Sequence, residues 1–215
     1  MIRKIILFIL VLPQLVAAQQ IDGDLLAIKK KMDAVKRFSA NIILDLDVPF
    51  INMPTKKARV VYAVGKRMEF TSKDFVMLPK RGLDFSLAEI FKYPFITVDR
   101  GVEQRNGQRL KVINVIPTTP ASEMALATIY MDSKALQIAA LDINTKKEGS
   151  YSLLMRYITP KDVLPNYVEA SFAIEKLKIP LNFMGKGTTI DRKKMKSMET
   201  KTGKIKMQIR DYVIN

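Results

Sequence analysis

The chain contains no cysteine, no histidine and no tryptophan. Without cysteine, no disulfide can hold the fold together and no thiolate can act as a nucleophile. Without histidine, the chain lacks Ser–His and Cys–His nucleophile pairs and the commonest zinc ligand. Paired carboxylates remain available, but no spacing singles out a pair. We therefore predict that the protein is not an enzyme and that it binds no metal ion or other cofactor.

The first residues have the three-part pattern of a secretory signal peptide. Arg3 and Lys4 are basic, residues 5–12 are apolar, and small residues precede Gln19. The apolar run is too short to span a bilayer, which needs about 20 residues. No cysteine follows to carry a lipid anchor. We predict a cleaved signal peptide over residues 1–18 and a soluble exported product, with an uncleaved anchor as the alternative.

The remaining residues, 19–215, carry no internal repeat and no low-complexity linker, so we predict a single domain. Loss of Arg3 and Lys4 lowers the formal charge from +15 to +13. Such a surplus attracts anionic partners, and export makes lipid headgroups or acidic proteins better candidates than nucleic acid. The densest basic run supplies four candidate residues for contact with an anionic surface: Arg192, Lys193, Lys194 and Lys196. The alternative is an ordinary solvated loop.

Alternating apolar and polar residues predict about ten strands after one long helix. The helix is predicted over Leu25–Phe38, with a stripe through Leu25, Ile28, Met32 and Val35, and a short second helix begins at Ser86. Asn106-Gly107 is the strongest hairpin signal. The predicted fold is mainly β with α: a strongly curved antiparallel sheet, or incompletely closed β-barrel, covered by a few helices. A sandwich is the alternative.

Several strands are apolar on both faces. In Met124–Met131, both alternating sets of side chains are mostly apolar. A solvated outer face would carry more charge. Either the sheet is covered on both faces, or one face lines an apolar ligand cavity.

The order of these elements resembles the bacterial outer-membrane lipoprotein carriers, the LolA-like superfamily. The resemblance rests on the signal peptide, the first helix, the long strand Ala40–Val48 and the paired segment Val60–Phe70. It implies an incompletely closed barrel with helices as a lid, and non-enzymatic carriage of acyl chains across the periplasm. Val64 stands where these carriers commonly place an arginine that latches the lid, and Phe70 stands where they place a tryptophan.

The resemblance yields two hypotheses of different class. In the first, a monomeric periplasmic carrier holds acyl chains of lipids or lipoproteins and takes them toward the outer membrane, with transient membrane contact. The six residues expected to line its apolar cavity are Leu44, Leu46, Val60, Tyr62, Met68 and Phe70. In the second, an interaction or sensor module of the same fold docks its basic surface on an acidic protein. A hydrolase using carboxylates is a distant third.

Cleavage after Ala18 gives the first testable prediction. N-terminal sequencing of the exported product should begin at Gln19, because the small residues at Ala17 and Ala18 suit the cleavage site. A product that retains Met1, or that stays in the cytoplasm, would contradict this prediction.

Overall fold

The computed structural model describes residues 21–66, 68–73, 88–147, 149–173, 187–197 and 202–215. The helices in this part of the chain are α1 (Gly23–Asp33), α2 (Ala88–Phe91) and α3 (Arg192–Ser197). The strands are β1 (Arg37–Asp47), β2 (Ile51–Asn52), β3 (Lys56–Ala63), β4 (Glu69–Thr71), β5 (Phe95–Arg105), β6 (Gln108–Pro117), β7 (Met124–Asp132), β8 (Gln137–Thr145), β9 (Ser150–Arg156), β10 (Tyr167–Ala173), β11 (Thr189–Ile190) and β12 (Thr202–Ile214).

Ten of these strands form one antiparallel sheet in the order β4-β3-β1-β12-β10-β9-β8-β7-β6-β5. The strands β4 and β5 are its two edges and do not pair with each other, so the sheet is not closed into a barrel. The short strands β2 and β11 form a separate two-stranded sheet. The predicted fold class is confirmed: the protein is mainly β, with an open antiparallel sheet and short helices.

Strands β5 to β10 form a meander, in which each strand pairs with the next along the chain. The hairpin predicted at Asn106-Gly107 joins β5 to β6. Both turn residues have left-handed backbone angles, with φ of 51° and 78°. Glycine adopts this conformation freely, and asparagine does so more readily than most other residues.

Helix α1 begins as the sequence predicts but ends earlier. The Asp22 side chain accepts hydrogen bonds from the backbone N–H groups of Asp24 and Leu25, at 3.0 and 3.1 Å, and so caps the helix. The predicted end at Phe38 is wrong, because the helix stops at Asp33 and β1 begins at Arg37. Phe38 belongs to the sheet, where it lies opposite Tyr62 of β3 and Ile214 of β12.

The predicted stripe of α1 faces the sheet. Leu25 and Ile28 are fully buried, and Met32 packs against the same cluster from the helix end. This cluster, which we call the central core, also includes Ile90 of α2 and inward side chains of β6 to β10. Burial of a Leu or Ile side chain stabilises a fold by about 1.5–3 kcal/mol, so α1 is held firmly on this part of the sheet.

A partly buried charge cluster fixes the start of α1. The Lys111 ammonium of β6 lies 2.7 Å from a carboxylate oxygen of Asp22 and 2.9 Å from one of Asp24. The Ser133 hydroxyl donates to the same Asp24 oxygen at 2.8 Å. The bond from Lys111, then that from Ser133, lowers the pKa of Asp24 despite some desolvation. Burial alone would lower the pKa of Lys111, but its bonds to the two carboxylates outweigh burial and raise it.

Three predicted elements and the predicted signal peptide lie outside the described residues. They are the strand over 75–78, the strand over 181–184, the start of the short helix at Ser86, and residues 1–18. Within the described part of the chain, no helix is long and apolar enough to cross a membrane.

The charge cluster predicts a pH-dependent contribution to stability. Because the folded pKa of Asp24 is lowered, its contribution is present above the unfolded pKa of about 3.9 and is lost as the pH falls through the folded value. We expect Asp24→Asn to reduce the free energy of unfolding by about 1 kcal/mol at neutral pH, allowing for its partial exposure.

Urea unfolding at neutral pH and near pH 3 checks this. The difference between wild type and Asp24→Asn should shrink at the lower pH. A difference that is equal at both values would show that the Asp24 charge contributes nothing.

Candidate apolar binding face

The structure brings most of the predicted cavity residues onto one face of the sheet. Leu44, Val60, Met68 and Phe70 belong to a single apolar cluster, which we call the β1 cluster. Its buried members are Ala40, Ile42, Leu44, Val60, Val168 and Met207. Tyr62 stacks on Phe38, which packs against this cluster, with ring centroids 5.2 Å apart.

Leu46 lies apart from the other five. It packs against a neighbouring cluster of Val48, Phe50 and Ile51, which we call the Phe50 cluster. Leu46 is two residues after Leu44 on β1, so it shares the face but lies nearer the end of the strand. The six residues therefore form a band along the face rather than a ring around one point.

Strand register explains why the band lies on one face. In β1, Ala40, Ile42 and Leu44 are buried at every second position. Val60 of β3 lies opposite Ala40, and Phe70 of β4 lies opposite Val60. Directly opposed side chains point to the same face, so three adjacent strands contribute to one apolar surface.

This face is less covered than the central core. Leu44 and Val60 are buried, at 7% and 2% exposure, but Tyr62, Met68 and Phe70 are only half-buried. In the described ranges, no helix residue belongs to the β1 cluster, whereas α1 and α2 both contribute to the central core. The half-buried side chains are thus the part of the face that an apolar ligand could reach.

A β-bulge completes the aromatic end of this face. Between Asn41 and Ser39 the register of β12 moves from Arg210 to Val213, so β12 has one extra residue. Asp211, in the bulge, has a φ of 55°, and its carboxylate accepts a bond from the Asn41 side chain at 2.9 Å. The bulge places Tyr212 beside Phe38, with ring centroids 5.7 Å apart.

The hydroxyls of Tyr212 and Tyr157 stay neutral. The Tyr212 hydroxyl donates to the Pro165 carbonyl at 2.8 Å. Burial raises the pKa of Tyr212, and the nearby Tyr157 adds to the rise. Burial also raises the pKa of Tyr157 to about 12. These side chains therefore offer apolar surface without charge, which suits a hydrocarbon ligand.

The sequence analysis missed Phe38 and Tyr212 as members of this face. The predicted helix over Leu25–Phe38 includes Phe38, and helical spacing gives no indication of its strand partners. Tyr212 lies outside the plain alternation of Ile205, Met207 and Ile209, because the bulge shifts its position. Aspartate adopts a positive φ more readily than most residues, so Asp211 is a weak local signal for the bulge.

A separate shallow groove of about 350 Å³ lies at the far ends of β9, β10 and β12. Hydroxyl groups of Ser150, Ser152 and Ser171 line part of it, and none of the six predicted cavity residues does. Gly203 is needed nearby, since a Cβ there would lie 2.7 Å from Val48 and 2.9 Å from the Phe172 ring.

Across the described residues, no group of acidic side chains could hold a metal ion.

The four predicted basic residues lie on helix α3 rather than in a loop. Asp191 caps this helix through the Lys194 N–H at 2.9 Å, and Met195 packs against the Phe50 cluster. The side chains of Arg192, Lys193, Lys194 and Lys196 are exposed and form no ion pair with any described residue. The helix thus presents its cations to solvent while one methionine anchors it.

Solved bacterial structures share this fold at low sequence identity. A protein of the DUF1329 family from Desulfovibrio piger matches with a TM-score of 0.51 and 9% identity, over 89% of this chain and 90% of that one. A LolA superfamily protein from Nitrosomonas europaea matches with a TM-score of 0.45 and 8% identity, over 88% and 93%. No family model matches the chain, and no curated protein matches it.

A domain from Vibrio parahaemolyticus, classed with outer membrane lipoprotein-sorting proteins, matches with a TM-score of 0.43 and 12% identity. The match covers 88% of this chain and 92% of that domain. The predicted resemblance is therefore confirmed as a structural similarity to LolA superfamily and lipoprotein-sorting domains. At identities this low, the similarity concerns the fold alone.

The bulge yields a prediction about stability. Asp211→Val should lower the free energy of unfolding by about 1–2 kcal/mol, because a β-branched residue is strained at positive φ. Asp211→Gly, which accepts this φ, should cost less even though it loses the bond to Asn41. Urea unfolding followed by tyrosine fluorescence measures both variants. Equal losses would show that the backbone angle is not the cause.

Proposed function

We propose that this protein is a non-enzymatic periplasmic carrier that binds acyl chains of lipids or lipoproteins on the β1 cluster face. The supporting observation is the half-buried Tyr62, Met68 and Phe70, which lie on an apolar face that no described helix covers. The fold shared with lipoprotein-sorting domains makes carriage toward the outer membrane the preferred form of this activity. The predicted signal peptide would supply the location.

Apolar burial would drive acyl binding. Each methylene removed from water contributes about 0.8 kcal/mol before the costs of association. Met53, Met68, Met155 and Met207 lie in or against the β1 cluster. Methionine is flexible and polarizable, so a face rich in it can adapt to chains of different length and shape.

In the LolA-like carriers, an arginine commonly latches the lid at the position where this chain has Val64. Its replacement by valine affects how such a carrier would work. Val64 is 54% exposed in the turn after β3, and it contributes no charge to the apolar face. A carrier of this kind would hold its ligand by apolar contact. Retention would depend on acyl-chain length, since there is no arginine at this position to hold a lid closed.

A second candidate function is an interaction or sensor module that docks on an acidic protein. The observation that favours it is α3, whose four cations are exposed and make no ion pair within the described ranges. Charges arranged in this way attract an acidic surface from a distance of about one Debye length, roughly 8 Å at physiological salt. This function would not require acyl binding.

Uptake of a fluorescent fatty acid by the purified exported chain tests the carrier proposal. Phe70→Glu places a charge on the apolar face, and a charge moved out of water costs several kcal/mol, so uptake should fall at least tenfold. Thr71→Glu is the matched control, because the neighbouring side chain of β4 is exposed and points to the opposite face. It should bind the probe like wild type.

A thermal melt of each variant separates lost binding from lost folding. Mass spectrometry of organic extracts from the purified wild type gives an independent test. A folded wild type that takes up no probe and carries no lipid on extraction would overturn the carrier proposal and favour the interaction module.

A further inference from the structure

One end of the sheet exposes three valines: Val61 and Val213 on its outer face, opposite to the β1 cluster, and Val64 in the turn after β3. Val64 and Val213 are each 54% exposed, and Val61 is 37% exposed. Val61 lies opposite Ser39, and Ser39 lies opposite Val213, so one row crosses β3, β1 and β12. The Val64 N–H donates to the Lys36 carbonyl at 2.9 Å, which places the turn after β3 beside this row.

Exposed cations surround these valines. Arg59 and Arg210 lie on either side of Asn41, in the neighbouring row of the same face. Lys36, Arg37 and Lys66 lie at the adjoining strand ends and turn, and all are exposed. Three acidic residues lie near them: Glu69 opposite Val61, Asp211 next to Arg210, and Asp33, whose carbonyl accepts a bond from Lys36; the five cations outnumber these three. We call Val61, Val64 and Val213, with Lys36, Arg37, Arg59, Lys66 and Arg210, the valine rim.

The valine rim and the aromatic end of the apolar face share one end of the sheet. Phe38 follows Arg37 directly and points to the inner face, where it contacts Tyr62 and Tyr212. Ile214, opposite Phe38, is 49% exposed. A surface that met the valine rim would therefore lie next to the half-buried aromatic side chains.

We propose that the valine rim docks this protein on the surface of an anionic lipid bilayer. Short aliphatic side chains among cations match a headgroup layer, where the apolar groups enter the interface and the cations meet phosphates. A protein partner would be expected to find large aromatic anchors such as Trp or Tyr, and the exposed apolar residues of the valine rim are valines. The inference rests on the proposed function, because docking at the valine rim would place the entrance to the acyl-binding face against the membrane.

Helix α3 lies at the opposite end of β1 from the valine rim. It packs against Val48 and Phe50, just after the C-terminal end of β1, whereas the valine rim is at the N-terminal end. The 11 residues of β1 separate the two ends by on the order of 30 Å. The two basic surfaces are therefore distinct, and a single experiment can test each of them for membrane docking.

The test is flotation of the purified exported chain with vesicles of equal parts phosphatidylglycerol and phosphatidylcholine. The pair Lys36→Gln and Lys66→Gln removes charge from the rim, and the pair Val64→Ser and Val213→Ser removes apolar groups. Each double variant should lose about tenfold in binding. The matched control is Lys134→Gln with Lys147→Gln, which removes the same charge from exposed sites elsewhere and should lose much less. Charge reversal of the four α3 cations should also leave binding nearly unchanged.

Several outcomes would overturn the inference. These are wild type that does not float, rim variants that float like wild type, or a control or α3 variant that loses as much as the rim variants. Rim variants that alter only self-association, or only binding to an acidic protein, would assign the rim to that contact instead. Because flotation needs no acyl probe, failure of the probe experiment with rim-dependent flotation would refute carriage but leave the docking surface standing.

Discussion

The insertion of β12 between β1 and β10 is the interaction on which the rest of the structure depends. Without it, β4-β3-β1 would be a three-stranded sheet and β5 to β10 a separate meander, and each would have a bare edge. On its two sides, β12 pairs from Phe38 to Asp47 of β1 and from Tyr167 to Ala173 of β10. Its inward side chain Ile205 packs against both the central core and the β1 cluster, and Met207 is a buried member of the β1 cluster.

The joined sheet divides one continuous apolar face into two regions with different roles. Over the meander, α1 is held by Leu25, Ile28 and the Lys111 charge cluster, and this part is a closed core. Over β3, β1 and β12 the same face continues without a described helix. Among the described residues, helices therefore cover the meander and leave the strands β3, β1 and β12 to the β1 cluster alone.

Local patterns were enough to predict much of this. Alternation located most strands, Asn106-Gly107 located a hairpin, and the Asp residues before Leu25 located the helix start. Two features depended on distant partners. Phe38 continues the helical spacing from Val35, but pairing with Tyr62 and Ile214 draws it into β1. The position of β12 beside β1 joins residues far apart in sequence, and no local signal encodes it. The six predicted cavity residues shared a face because alternation sets the face; their distribution over two clusters depends on packing.

The bulge at Asp211 has a consequence for both surfaces of the strand. Were β12 regular at this point, Asp211 would face the apolar cluster, Tyr212 would point into solvent and Val213 would point inward. The extra residue moves every later side chain of β12 to the opposite face of the sheet. The aromatic end of the inner face and the exposed valine of the outer face therefore arise from the same irregularity. Any change that restored a regular strand there would exchange the chemistry of the two faces at once.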